Sequence, residues 1–147
     1  MKFVLDASMA LAWLFERAKK EEIDYANKAL FALVDNETSV PPLWHIEIAN
    51  ALLVGERRHV ITEAQSIDYL NRLSGLPIVT DDICPSSRRD MVIALAREHQ
   101  LTAYDATYLE LALRRDAVLA TFDIELAKAM HNAGGKVFAD IGRKAVK

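Results

Sequence analysis

Lys2-Phe3-Val4-Leu5-Asp6-Ala7-Ser8 is an apolar, β-prone run that ends abruptly in a carboxylate. A central parallel strand is buried on both faces and so reads as a continuous apolar run. Such a strand leaves the sheet at its carboxyl edge, where open α/β folds bind ligands. Asp6 is then expected at the lip of a crevice, with Ser8 beside it. The same two residues also suit the N-cap of a helix starting near Met9, and the stretch alone leaves both roles open.

The rest of the chain repeats this alternation. Apolar positions predict helices over 9–15 and 19–34, and Asp35-Asn36-Glu37-Thr38 reads as a polar break. Ser39-Val40-Pro41-Pro42 reads as a short strand running into a turn, because proline does not continue a central ladder. A helix is predicted from Pro42 to a stop at Gly55. A further helix runs from an N-cap at Thr62 to about Ser74, followed by a strand at Leu76–Val79. Helices are predicted at 86–99 and from Thr102 or Asp105 to Arg114, then a strand at Ala117–Thr121 and a helix at 124–130. Gly134 to Phe138 reads as a turn and a last short strand, and the basic tail from Arg143 to Lys147 as loose at its end. Strands alternating with helices predict a parallel sheet with right-handed crossovers. The expected fold class is α/β, one domain spanning 1–147 with its core at about 2–140.

Composition narrows the function. The 147 residues are 52% hydrophobic and 27% charged, with net charge −3, which is globular and argues against holding nucleic acid by bulk positive charge. No apolar run approaches the ~20 residues of a membrane span, and the N-terminus has no apolar signal-peptide core. The single cysteine, Cys84, makes no intrachain disulfide, which fits a reducing compartment. The expected location is cytoplasmic, with no membrane partner. The paired cations at Arg57-Arg58, Arg88-Arg89, Arg114-Arg115 and Arg143-Lys144 read as solvated helix ends or loops, which together would flank an acidic site and contact phosphates.

Four acids stand out by position. Asp6 and Asp123 each follow a strand and share one sheet edge. Glu47 lies in Leu43-Trp44-His45-Ile46-Glu47-Ile48-Ala49-Asn50-Ala51-Leu52-Leu53, a helix apolar nearly all round, with Asn50 on the same face. A buried carboxylate needs a cation, a donor or a wet cleft; the alternative for Glu47 is a first-turn acid favouring the helix dipole. Asp105 reads either as the N3 acid of a capping box begun by Thr102 or as facing a cleft, and Asp123 as an N-cap or a site residue. Converging carboxylates repel, and one must take up a proton unless a cation sits among them. Oxygen donors without cysteine or paired histidines favour Mg²⁺ or Mn²⁺ over zinc. Such a site activates water and stabilises charge on a phosphoryl group.

Val4-Leu5-Asp6-Ala7-Ser8, Glu47-Ile48-Ala49-Asn50, Tyr104-Asp105-Ala106-Thr107-Tyr108-Leu109 and Leu119-Ala120-Thr121-Phe122-Asp123 together resemble the PIN-domain family, and within it the VapC-type ribonuclease toxins of type II toxin–antitoxin systems. The resemblance runs from Phe3 to about Phe138. It implies a three-layer α/β/α fold with a parallel, about five-stranded sheet. It also implies Mg²⁺- or Mn²⁺-dependent endonucleolytic hydrolysis of RNA by a metal-activated water, leaving a 5′-phosphate and a 3′-hydroxyl. The metal-site acids it carries over are Asp6, Glu47, Asp105 and Asp123, with supporting hydrogen bonds from Ser8, Asn50 and Thr121. It implies a homodimer and an antitoxin partner whose tail fills the cleft.

Other readings fit less well. A phosphorelay receiver wants an acid pair after the first strand and a lysine after the last; here Asp6 stands alone, Lys136 precedes its strand, and only Asp81-Asp82 gives support. A haloacid-dehalogenase-type phosphatase wants a second acid where Ser8 stands, and no Gly-rich phosphate loop is present. A PIN-like fold that binds RNA or protein without cutting is the alternative that keeps the same fold.

Overall fold

A computed structural model of the protein describes residues 1–138. The basic tail and the end of the expected core at 140 lie outside them. In chain order the elements are β1 (Lys2–Leu5), α1 (Ala7–Leu11), α2 (Lys20–Ala32), β2 (Glu37–Val40), α3 (Pro42–Arg57), α4 (Glu63–Ser74), β3 (Ile78–Thr80), α5 (Pro85–His99), α6 (Ala103–Arg114), β4 (Val118–Ala120) and α7 (Ile124–Asn132).

All strand pairs are parallel, in the order β3-β2-β1-β4. The chain builds outward from β1 to β2 to β3, then returns across the sheet to place β4 on the free side of β1. The direction of winding thus reverses between β1 and β4, the position where an open α/β sheet leaves a crevice at its carboxyl edge. Val4, Leu5, Leu119 and Ala120 are buried, as strands covered on both faces require. Helix α6 packs on β1 and β4 and against α5 and α7, while α1 packs on α2 and α3. This is the α/β/α plan predicted above.

Three local readings change. The supposed polar break contributes half of β2: Lys2 pairs with Glu37 and Phe3 with Thr38, and Thr38 is 1% exposed. Pairing with β1 overrides the polarity of those side chains. Gly55 does not stop α3, which continues to Arg57; a Cβ at Gly55 would meet the Phe15 ring at 2.9 Å, so glycine serves close packing there and not a cap. The last short strand is reduced, among the described residues, to a single parallel bridge between Leu119 and Val137. Phe138 turns its ring onto Phe3 and Tyr25 instead, with centroids 5.5 and 5.4 Å away.

Among the described residues no helix is long and apolar enough to cross a membrane.

Candidate active site

The register of β1 against β4 fixes the first two acids. Leu5 pairs with Ala120, and the Asp6 N–H donates to the Ala120 carbonyl at 3.0 Å. The next residues on the two strands, Asp6 and Thr121, are therefore side by side at the winding reversal, and Asp123 follows two residues on.

Asp6 is 7% exposed. Its Oδ2 accepts from the Ser8 hydroxyl at 2.9 Å and from the Thr121 hydroxyl at 2.5 Å. Each hydroxyl has one proton, and each is itself oriented from behind: the Phe122 N–H donates to Ser8 Oγ at 3.2 Å and the Asp123 N–H to Thr121 Oγ1 at 2.9 Å. Both hydroxyl protons are thus committed to Oδ2, and Oδ1 is left without a hydroxyl partner. Asp6 occupies the N-cap position of α1 but makes no side-chain cap bond. The carboxylate is held by the Ser8 and Thr121 hydroxyls at the end of the strand.

Asp123 is the N-cap of α7. Its Oδ1 accepts from the Leu126 N–H at 3.1 Å, capping α7, while its charge acts on Asp6 and Asp105. For Asp105, Thr102 Oγ1 accepts from the Asp105 N–H at 3.1 Å, so the first half of the expected capping box is made. Glu47 is in the second turn of α3, half-buried, and not a first-turn dipole partner. The Tyr108 hydroxyl on α6 donates to Glu47 Oε1. Asn50 is exposed on α3, and no hydrogen bond ties its side chain to the acids among the described residues.

The electrostatics bind these acids into one group. Burial, then the nearby charge of Asp123, pushes the Asp6 carboxyl above its ordinary value, against the lowering effect of its hydrogen bonds to Thr121 and Ser8. Glu47 is raised by burial and by the charges of Asp6 and Asp105, against its bond from Tyr108. Asp105 is raised by burial and by Asp123 and Asp6. Burial and the Glu47 contact raise the Tyr108 hydroxyl far above the usual tyrosine value, so it remains a donor.

Among the described residues no three acids, histidines or cysteines stand close enough to form a ready-made cage for a metal ion. The donor set nevertheless fits Mg²⁺ or Mn²⁺. It is all oxygen, its members repel one another, and Mg²⁺ usually keeps several waters and takes one or two carboxylates directly. An open arrangement of acids suits a hydrated ion of that kind.

Of the four acids, Asp123 lines a cleft of about 330 Å³, together with Tyr25, Thr121, Phe122, Ile124 and Lys128 among others. The Arg17 guanidinium stacks on Phe122, 4.0 Å from the ring centroid, and pairs with Glu22 at 2.6 Å.

A sequence model of the PIN domain matches residues 3–131. The chain belongs to the PIN-domain family. It is 33% identical to Ribonuclease VapC1 of Mycobacterium tuberculosis (strain H37Rv) over 98 residues, which cover 66% of this chain and 71% of that protein. Among solved structures it resembles PAE2754 from Pyrobaculum aerophilum, with 25% identity and a TM-score of 0.65 over 96% of this chain and 86% of the other. A toxin–antitoxin complex from Klebsiella pneumoniae has the same fold at 19% identity, with a TM-score of 0.63 over 91% of this chain and 94% of the other.

Two groups were not foreseen. Tyr108 reads in the sequence as a core residue, which its ring is; no spacing announces where its hydroxyl goes. The second is a buried ion-pair network. Glu110, 4% exposed, meets Arg88 at 2.8 Å and Arg114 at 2.8 Å; Asp81, 7% exposed, meets Arg114 at 2.6 Å and Arg115 at 3.1 Å. Arg88, Arg114 and Arg115 are therefore not solvated helix-end cations awaiting phosphate. Asp81, the acid that favoured a receiver-like reading, is likewise committed to arginine.

Proposed function

We propose that this PIN-domain protein is a metal-dependent endoribonuclease, the toxin of a type II toxin–antitoxin pair, acting through Asp6, Glu47, Asp105 and Asp123. The observation that carries the reading is the common field felt by acids from four separate segments: Asp6, Glu47 and Asp105 are each raised by burial and by other members of the set. A structural role does not call for that much unpaired charge in one place. The likeness to Ribonuclease VapC1 supports RNA as the substrate.

In this reading Asp6, Asp105 and Asp123 hold the cation, directly or through water, and Glu47 faces them from α3. Bound there, Mg²⁺ or Mn²⁺ would supply the acidity that ionises a water and would offset charge developing on the phosphoryl group. Ser8 and Thr121 hold Asp6 Oδ2, which fixes the orientation of the carboxylate that would take the cation. Glu47 orients the water for in-line attack on phosphorus, leaving a 5′-phosphate and a 3′-hydroxyl. Lys128 lines the same cleft as Asp123 and gives that cleft a cation of this chain. An antitoxin and a second copy of the chain are the partners. Exposed Ile46 and Leu53 on α3 and Ile67 and Leu70 on α4 offer apolar surface for them. The cytoplasm is the corresponding location.

Two results are expected. Mn²⁺ at about 100 times its dissociation constant raises the stability of the metal-free protein by roughly 2.7 kcal/mol, and chelation reverses it; thermal melts with and without Mn²⁺ check this, and coincident melts contradict a metal site. In cells producing the protein, sequencing of RNA ends finds new 5′-phosphate ends at defined positions. A pattern identical to that of cells without it contradicts the nuclease reading.

A further inference from the structure

Tyr108 belongs to no group of residues assigned above, yet it touches two parts of the site. It lies three residues after Asp105 on α6, so both side chains share one face of that helix. Its ring is 1% exposed and is held in the core. Its hydroxyl donates to Glu47 Oε1 on α3, and its oxygen meets the backbone of Ala7, the residue next to Asp6. One immobile hydroxyl therefore connects the helix of Asp105, the helix of Glu47 and the turn of Asp6.

Resting on the nuclease reading, we propose that Tyr108 is the positioning residue for Glu47, fixing its Oε1 so that the carboxylate stays within reach of Asp6 and Asp105. Glu47 needs such a device. A glutamate has three rotatable side-chain bonds, and this one is pushed away by Asp6 and Asp105. Without a donor behind it, repulsion would turn the carboxylate out of the cleft toward water. Groups behind a metal's own ligands orient them, and removing such a group costs about 10–100-fold in metal affinity or activity.

The test is Tyr108→Phe, which keeps the ring in the core and deletes only the hydroxyl. Crystal structures of the metal-free wild type and variant give the position of Glu47 independently of catalysis, and titration with Mn²⁺ followed by electron paramagnetic resonance gives affinity. The expected result is a Glu47 carboxylate displaced from its place, Mn²⁺ binding weakened about tenfold, and circular dichroism unchanged. In the Glu47→Ala background, Tyr108→Phe adds no further loss of Mn²⁺ affinity, because the two act as one unit. An unmoved Glu47 in the variant overturns the proposal, and so do losses that multiply. Wild-type protein that binds no Mn²⁺ contradicts the metal site itself, and the crystal structures then still decide whether Tyr108 positions Glu47.

Discussion

Asp6→Asn lowers metal-dependent RNA cleavage by about 10³-fold or more, the equivalent of about 4 kcal/mol of barrier, and raises the melting temperature of the metal-free protein by roughly 2–4 °C. The two effects have one cause. Asp6 is a buried carboxylate beside another acid, and its folded-state pKa lies above its ordinary value. Between the unfolded and folded values the native protein holds a proton that the unfolded chain has released, so stability falls as pH rises through that window. At neutral pH the ionised group opposes folding. Asparagine retains an oxygen to accept from Ser8 and Thr121, removes the charge, and presents an amide in place of a ligand oxygen. Calorimetry and a cleavage assay on the same samples check the pair of effects. A variant that loses activity and stability together would indicate a damaged fold and not a lost ligand.

Arg114→Ala has the largest effect on stability. Arg114 reaches both Asp81 and Glu110 and is itself mostly buried. Deleting it leaves Asp81 and Glu110, both nearly inaccessible, with one arginine each; breaking a buried pair typically costs 3–5 kcal/mol, and because Arg88 and Arg115 remain, about 3 kcal/mol is expected, with a melting temperature lower by roughly 10 °C. The dependence on pH has a definite sign. Burial alone would raise Asp81, but the bonds and charges of Arg114 and Arg115 outweigh it and hold the carboxyl below its ordinary value. A lowered acid contributes stability above its unfolded pKa, about 3.9, and loses it as pH falls through the folded value. The difference between wild type and variant therefore narrows below about pH 4. Melts of equal midpoint at pH 7 would contradict a stabilising role for the network.

The strand-end acids were legible in the sequence for a simple reason. A continuous apolar run that stops at a carboxylate records both burial of the strand and its point of exit, and β1 and β4 each carry that signature. Glu47 was legible as an acid inside an otherwise apolar helix. Glu110, in Tyr108-Leu109-Glu110-Leu111-Ala112, is another acid in an apolar run, but it was not singled out from the sequence. Its partners were not legible, because Arg88 lies 22 residues away and meets it only after α5 packs on α6. Asp81 and Arg114 are 33 residues apart and likewise meet only through tertiary folding. The Tyr108 bond to Glu47 spans 61 residues and depends on where a hydroxyl points, which a pattern of apolar positions does not encode. Glu37 and Thr38 misled in the opposite direction, since their polarity marks a turn while their pairing with β1 makes a strand.

The most direct test of the central claim is cleavage of RNA by the purified protein, freed of any antitoxin, with and without Mn²⁺, beside Asp6→Asn. Cuts with 5′-phosphate ends are expected only for the wild type with metal present, as the metal-site claim requires. Equal cutting by Asp6→Asn, or cutting by the wild type that persists in excess chelator, would contradict it.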